Sequence, residues 1–152
     1  MAVKHKIKTM EASELRIGNF ITHEDYSSDC FSVLSISENV VNTKGGKNGA
    51  WVNPPLMISP IPITEEWLAE FGFGKHGSHN YGWFSKRWVT EPQEQVNEIC
   101  ININTGSCSI GYDASGEDEE VGCAYTKYPV KYVHQLQNLY FALTGEELII
   151  SQ

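Results

Sequence analysis

The first part of the chain alternates apolar and polar positions with the period of two that is typical of half-buried β-strands. In residues 30–37, Phe31 and Val33 are separated by a serine, and similar short apolar runs lie on both sides of the glycine-rich loop at residues 44–49. Four or five short strands joined by tight turns within about 50 residues are typical of a small β-barrel. The pattern therefore predicts an SH3-like barrel in residues 1–63.

A short helix is predicted directly after this region. Thr64 is a favourable N-cap residue, and Glu65 and Glu66 place negative charge in the first turn, where the helix dipole favours it. Gly72 can end the helix, because glycine adopts the left-handed backbone conformation without a steric cost.

The second half of the chain contains a predicted β-hairpin from Ile99 to Tyr112, with its turn at Thr105 and Gly106. Pairing across that turn places three apolar pairs on one face: Ile103 with Cys108, Ile101 with Ile110, and Ile99 with Tyr112. The opposite face is mainly polar, which predicts one buried and one solvated side.

A longer amphipathic helix is predicted for residues 130–143. Its apolar residues recur at steps of three and four: Val133, Leu136, Tyr140 and Leu143. Pro129 precedes this segment and Gly145 follows it, as is usual at the two ends of a helix.

These elements predict an α+β fold that forms a single domain over residues 1–152. Residues 1–63 form the barrel-like half. Residues 64–152 contain the short helix and the antiparallel hairpin, which is packed by the C-terminal helix.

The composition of the chain argues against two kinds of partner, duplex nucleic acid and membranes. The 152 residues include 11 basic and 19 acidic side chains, for a net charge of −8. Proteins that bind duplex nucleic acid gain affinity by neutralising phosphates with basic side chains, so a duplex partner is not expected. The chain has no apolar run of the ~18–20 residues that span a bilayer, and residues 1–10 lack an apolar signal core. We therefore expect no membrane partner and a cytoplasmic location.

Known catalytic and metal-binding motifs are missing from the sequence. The four cysteines, Cys30, Cys100, Cys108 and Cys123, form no C-x-x-C pair, and no Walker loop, H-E-x-x-H or G-x-S-x-G motif occurs. His76 and His79 have H-x-x-H spacing without a third ligand that can be named. We predict no catalytic residue, no metal and no cofactor, and hence a protein that is not an enzyme.

The first candidate binding site lies between Gly72 and Trp88, where glycines alternate with aromatic residues. Tyr81 and Trp83 could stack on a planar ligand, while Lys86 and Arg87 could bind its negative charge. The alternative is a loop leading into a strand whose aromatic side chains fill the core.

The second candidate lies on the polar side of the C-terminal helix. His134 and Asn138 are four residues apart, so they share one face and could recognise a ligand through directed hydrogen bonds. The alternative is that this face is simply the solvated side of an amphipathic helix.

Three blocks of the sequence resemble a known family. They are ELRIGN at residues 14–19, PIPITEEWL at residues 60–68 and YVHQLQNLYFALTGEEL at residues 132–148. In this order they are similar to an uncharacterised family of small proteins encoded by phages, prophages and mobile elements of the Bacteroidota. The resemblance implies an accessory role in infection, in which such proteins inhibit a host defence protein or sequester a nucleotide signal.

The sequence therefore favours a non-enzymatic, counter-defence type of phage protein that binds a small anionic ligand such as a nucleotide. A protein–protein adaptor or inhibitor of a host protein is one alternative, and a nucleotide hydrolase is another. Four tryptophans and seven tyrosines are more aromatic surface than one small core needs, which is compatible with a homo-oligomer.

Overall fold

The structure is a computed structural model that describes residues 10–23, 26–38, 40–45, 50–53, 57–76, 81–90, 95–113 and 123–150. The chain divides into two compact units, each with strands of its own. The first unit contains Met1–Pro62 and Tyr132–Glu147, and the second contains Ile63–Lys131 and Leu148–Gln152. The C-terminal helix thus belongs to the first unit, whereas the sequence grouped it with residues 64–152.

The first unit contains a five-stranded antiparallel sheet. A 3₁₀ helix at Ala12–Glu14 precedes its strands, which are β1 (Phe20–His23), β2 (Tyr26–Ile36), β3 (Val41–Gly45), β4 (Ala50–Asn53) and β5 (Ile58–Ser59). The strand order is β4-β3-β2-β1-β5. No closed barrel is found among the strands that the structure describes, because β4 and β5 are the two edges of an open sheet. The SH3-like assignment stays a prediction.

The core of this unit follows the alternation that the sequence shows. Phe31, Val33 and Val41 are buried together with residues from the other strands and from the segment before β1. An irregularity in the pairing of β2 with β3 lies between Val33 and Ser35. Such a bulge shifts the side-chain alternation by one position, so Ile36 packs against the core although Leu34 is exposed.

The second unit contains one helix and a second five-stranded antiparallel sheet. Its elements are α1 (Glu65–Glu70), β6 (Gly74–Lys75), β7 (Trp83–Thr90), β8 (Gln95–Asn102), β9 (Cys108–Asp113) and β10 (Cys123–Tyr125). The strand order, β10-β9-β8-β7-β6, places β8 at the centre. Thr64 caps α1 as predicted, since its hydroxyl accepts a hydrogen bond from the Trp67 N–H, and Gly72 follows with φ 77°.

The β8–β9 hairpin has the predicted apolar face but a different register. Cys108 lies opposite Ile101 instead of Ile103, and Ile110 lies opposite Ile99. The predicted pairing is therefore wrong by two residues. Because side chains alternate with a period of two, this shift leaves the same residues on the buried face, and Ile99 and Ile101 are fully buried.

The Asn102 side chain explains why the paired part of the β8–β9 hairpin is shorter than predicted. Asn102 Oδ1 accepts hydrogen bonds from the backbone N–H groups of Asn104 (3.0 Å) and Thr105 (3.2 Å). Gly106, with φ 73°, then donates its N–H to the Asn102 carbonyl. This Asx-type turn ends the pairing of β8 two residues earlier than a turn centred on Thr105 and Gly106 would.

The second helix, α2 (Val133–Thr144), begins three residues later than predicted and ends one residue later. Pro62 and Tyr132 form an isolated β-bridge, and Val133 donates its N–H to the Ile61 carbonyl. The extended backbone that these bonds need delays the start of the helix. Gly145 ends it in the left-handed conformation, as expected. No helix among the described residues is long and apolar enough to cross a membrane.

Candidate functional site

Strand β7 separates the predicted ligand-binding residues between the two faces of the second sheet. Trp83 and Arg87 lie on one face, which also carries Ser85. Phe84 and Lys86 lie on the other, where Phe84 is buried. Both faces of the strand were included in the predicted site, but side chains on opposite faces of one strand cannot contact the same small ligand.

Lys86 contributes to the structure on the core side of the sheet. Its Nζ donates a hydrogen bond to the Phe71 carbonyl (2.8 Å) at the end of α1. The last carbonyls of a helix lack partners within the helix, and a cation there also complements the helix dipole. Lys86 therefore caps α1 from the neighbouring strand.

The opposite face of the sheet contains a pocket of about 250 Å³. The residues that line it come from or adjoin all five strands: His76, Trp83, Cys100, Ser109 and Tyr125. The volume lies slightly below the range of drug-sized sites, roughly 300–1,000 Å³. The pocket combines two aromatic side chains with a thiol, a hydroxyl and an imidazole, so it offers both stacking surfaces and directed polar groups.

Two residues that line the pocket, His76 and Cys100, lie close to Glu98. His76 Nδ1 lies 3.7 Å from Glu98 Oε1 and 3.9 Å from Cys100 Sγ. Within the described part of the chain, this is the group in which three possible ligand atoms all lie within 4.8 Å of one another. We call these three residues the His–Glu–Cys cluster.

The sheet register explains how these three residues meet. Glu98 and Cys100 are two residues apart on β8 and therefore share a face, while His76 follows β6 on the far side of β7. Ser85 of β7 is paired with Cys100 and lies between the two strands. Because the Ser85 side chain is small, the His76 ring reaches across it, with Nδ1 3.3 Å from the Ser85 hydroxyl.

The pKa values of the two acidic groups in the cluster, Glu98 and Cys100, are shifted in opposite directions. Burial raises the pKa of Glu98, but hydrogen bonds from Ser85 and Arg87 and the positive charge of Arg87 outweigh it, so the pKa lies below its usual value. Arg87 Nε donates to Glu98 Oε1 at 3.0 Å. Burial, followed by the negative charge of Glu98, raises the pKa of Cys100 to about 11. Glu98 is thus ionised and the Cys100 thiol protonated near neutral pH.

This arrangement differs from that of a cysteine nucleophile with its base. In such triads the nucleophile contacts one nitrogen of the imidazole, and the orienting acid contacts the other. Here Cys100 and Glu98 both approach Nδ1 of His76. A thiol whose pKa is raised is also a poor nucleophile.

The sequence did not reveal the cluster, because its members are separated along the chain. Of the two histidines with H-x-x-H spacing, His76 belongs to the cluster and His79 lies outside the described residues. The alternation of Glu98 and Cys100 along one strand was the available signal. It placed both side chains on the polar face of the hairpin, but nothing in the sequence indicated that His76 reaches them.

Tyr81 is not among the residues that line the pocket. It precedes β7 and is 76% exposed, and its carbonyl accepts a hydrogen bond from Asn102 Nδ2 at 2.9 Å. Its backbone therefore helps to hold the β8–β9 loop in place.

The two predicted residues on α2 belong to the first unit. His134 is 1% exposed, with Nε2 3.9 Å from Glu14 Oε2 and its ring stacked on Tyr132. Asn138 is half-buried, with Oδ1 accepting from Asn19 Nδ2 (2.9 Å) and Nδ2 donating to the Glu14 carbonyl (3.0 Å). This helix face is therefore not a solvated side, because His134 is buried and the Asn138 amide bonds within the first unit.

Gln137, which lies outside the predicted site, extends the same network. Its Oε1 accepts from the Phe20 N–H at 2.8 Å, and its Nε2 donates to the Gly18 carbonyl at 3.2 Å. One buried amide thus satisfies a backbone donor and a backbone acceptor at the start of β1. The amides of α2 attach the helix to the sheet, which accounts for polar residues in an otherwise apolar segment.

Comparisons of the chain with protein-family models, curated proteins and solved structures found no match. Its function is therefore argued from its own residues.

Proposed function

We propose that this protein binds a small planar anionic ligand, such as a nucleotide signal, in the pocket on the second sheet, without chemical turnover. The observation that carries the proposal is the presence of Trp83 and Tyr125 around one cavity together with His76 and Ser109. Aromatic side chains bind flat rings by stacking, and the polar groups would orient the ligand by hydrogen bonds.

Arg87 is the side chain that we expect to bind the negative charge of the ligand. It lies on the same face as Trp83, and its side chain is 70% exposed. Its Nε contacts Glu98, while a guanidinium carries further N–H donors in a fixed fork that suits phosphate or carboxylate. The proposed site therefore retains Trp83 and Arg87 from the predicted set, but not Tyr81, Lys86, His134 or Asn138.

The biological setting of this proposal comes from the resemblance of three sequence blocks to phage and mobile-element proteins. In that setting the protein would act in the host cytoplasm and sequester a signal used in defence. A homo-oligomer stays part of the proposal on the grounds of aromatic content alone.

Mass spectrometry of the gently purified chain, first native and then denatured, tests the proposal. We expect a retained small molecule that is released on denaturation. Trp83→Ala and Tyr125→Ala should each reduce retention about tenfold or more, because stacking of a base contributes about 1–3 kcal/mol. Tyr81→Ala is the matched control, since this exposed tyrosine does not line the pocket.

Two results would count against the proposal. A ligand retained equally by wild type and by Trp83→Ala would place the binding site elsewhere. A wild-type chain without any small molecule would remove the support for a tightly held ligand.

A protein partner is the second candidate, because Tyr125 and Tyr128 are both exposed at or beside the edge strand β10. Aromatic side chains are enriched in protein interfaces. A specific host protein that copurifies with the wild type, and is lost with Tyr128→Ala, would favour this candidate. Nucleotide turnover that persists through repurification would instead establish a hydrolase.

A further inference from the structure

We propose that His76, Glu98 and Cys100 bind a divalent transition-metal ion of the zinc class on the second sheet. This inference goes beyond ligand binding in the pocket and stands without it. It rests on the types of donor atom, their separations and the groups that hold them.

The donor set suits zinc better than the hard cations. An imidazole nitrogen, a carboxylate oxygen and a cysteine sulfur are the three ligand types found in protein zinc sites. Calcium and magnesium take oxygen ligands almost exclusively, so a sulfur ligand disfavours them. Binding of the ion would displace the Cys100 thiol proton into solvent, because cysteine binds a metal as the thiolate.

The separations of the donor atoms are close to those of a metal site. In a tetrahedral zinc centre, bond lengths of about 2.0–2.3 Å place neighbouring ligand atoms about 3.3–3.6 Å apart. The Nδ1–Oε1 and Nδ1–Sγ separations are 3.7 Å and 3.9 Å. The two separations from His76 Nδ1 would have to shorten by only a few tenths of an ångström, and all three donor atoms lie within 4.8 Å of one another.

The surrounding residues hold the donors in place. Arg87 donates a hydrogen bond to the Glu98 carboxylate, and the Ser109 hydroxyl bonds to the Cys100 sulfur. Ligands in metal sites are commonly oriented by hydrogen bonds of this kind. The cluster is also accessible, since the side chains of His76 and Glu98 are 44% and 22% exposed.

A metal ion bound by the cluster would also lie beside the pocket. Three protein ligands leave one position of a tetrahedral ion for water or another donor. His76 and Cys100 also line the pocket, so that position would lie beside Trp83 and Ser109. A cation there would add positive charge beside the pocket.

Cobalt binding to the full, tag-free chain tests the proposal. The protein is stripped with a chelator, kept reduced and titrated with Co²⁺. We expect one equivalent per chain, with a thiolate-to-cobalt charge-transfer band in the near ultraviolet that Zn²⁺ abolishes by displacement. Cys100→Ser should abolish the band. His76→Gln should weaken binding on the order of 100-fold or more, because even outer partners of a metal ligand contribute 10–100-fold.

Cys30→Ser is the matched control, because Cys30 is also a half-buried cysteine but lies in the first unit. It should retain the band and the affinity of the wild type. Circular dichroism of each metal-free variant establishes that it is folded. If Cys100→Ser did not fold, His76→Gln would decide the matter, since His76 is exposed at the end of β6.

The absence of a charge-transfer band in the wild type at millimolar Co²⁺ would overturn the proposal. A band that persists in Cys100→Ser, or one that disappears in Cys30→Ser, would place the bound ion at another thiol and overturn it as well. Ligand retention is measured separately on the untitrated protein, so failure of the metal site and failure of the proposed function can be distinguished.

Discussion

Single buried amides connect α2 to the strand that it covers. Gln137 is 1% exposed, yet both ends of its side-chain amide bond to backbone groups at the start of β1. Asn19 is fully buried and bonds to Asn138, while its Oδ1 accepts from the Arg16 N–H. Buried polar groups stabilise a fold only when they are hydrogen-bonded, so replacing any of these amides should lower the free energy of unfolding.

Gln137→Met should lower the free energy of unfolding by about 2–4 kcal/mol. The thioether side chain has a similar volume, but it removes one buried hydrogen bond to the Phe20 N–H and one to the Gly18 carbonyl, each of which contributes about 1–3 kcal/mol. Denaturant unfolding followed by circular dichroism measures the change.

Asn42→Ala provides the control for this prediction. Asn42 Nδ2 donates to the Ser35 hydroxyl at 2.7 Å in a solvent-exposed position of the same unit. Water can replace an exposed partner, so this change should alter stability by no more than about 0.5 kcal/mol. Equal effects of the two substitutions would contradict the structural role assigned to Gln137.

At the scale of secondary-structure elements, the β8–β9 loop determines the hairpin register. Gly106 adopts φ 73°, which few residues other than glycine adopt readily. A Cβ atom there would lie 3.0 Å from Lys131 Cγ, Pro129 Cβ and the Val130 carbonyl oxygen. Glycine is therefore needed at this position both for its backbone conformation and for the space around it.

Gly106→Ala should destabilise the protein by roughly 1–3 kcal/mol, combining the cost of a left-handed alanine with the close contacts. Gly74→Ala is the matched control, because a Cβ at Gly74 in β6 meets nothing within 4 Å and its backbone is not left-handed. Thermal unfolding of the two variants gives the comparison. A larger loss for Gly74→Ala would show that the loop does not have this role.

At the scale of the whole molecule, the chain forms two units with separate sheets and separate buried residues. Leu136 of α2 is fully buried in the first unit, and Ile101 of β8 is fully buried in the second. The described strands of each sheet pair only within that sheet. A core substitution in one unit should therefore destabilise the sheet of that unit more than the sheet of the other.

Leu136→Ala should reduce the hydrogen-exchange protection of β2 and β3 more than that of β7 and β8, and Ile101→Ala should have the reverse effect. Replacing a buried Leu or Ile by Ala costs about 2–5 kcal/mol, which is a substantial part of the folding free energy of a small domain. Each variant serves as the control of the other. An equal loss of protection in both sheets from either substitution would mean that the two units unfold together.

The elements of the fold could largely be predicted from local patterns. The helix starting after Thr64, its end near Gly72, the end of α2 at Gly145 and the apolar face of the β8–β9 hairpin all depend on residues close together in the chain. Capping, alternation and left-handed glycines act over a few residues, so the linear sequence contains the information that they need.

What the sequence by itself determined was therefore the type and approximate place of these elements, and an α+β architecture of antiparallel sheets. Only the tertiary structure decided what each predicted ligand-binding residue contacts, and it divided that set between two faces of one sheet and two units of the chain. It showed that Lys86 caps α1, that His134 is buried, and that His76 meets Glu98 and Cys100 across Ser85. The reason is that these contacts join residues brought together by strand order and register, which depend on long-range pairing and not on the properties of neighbouring residues.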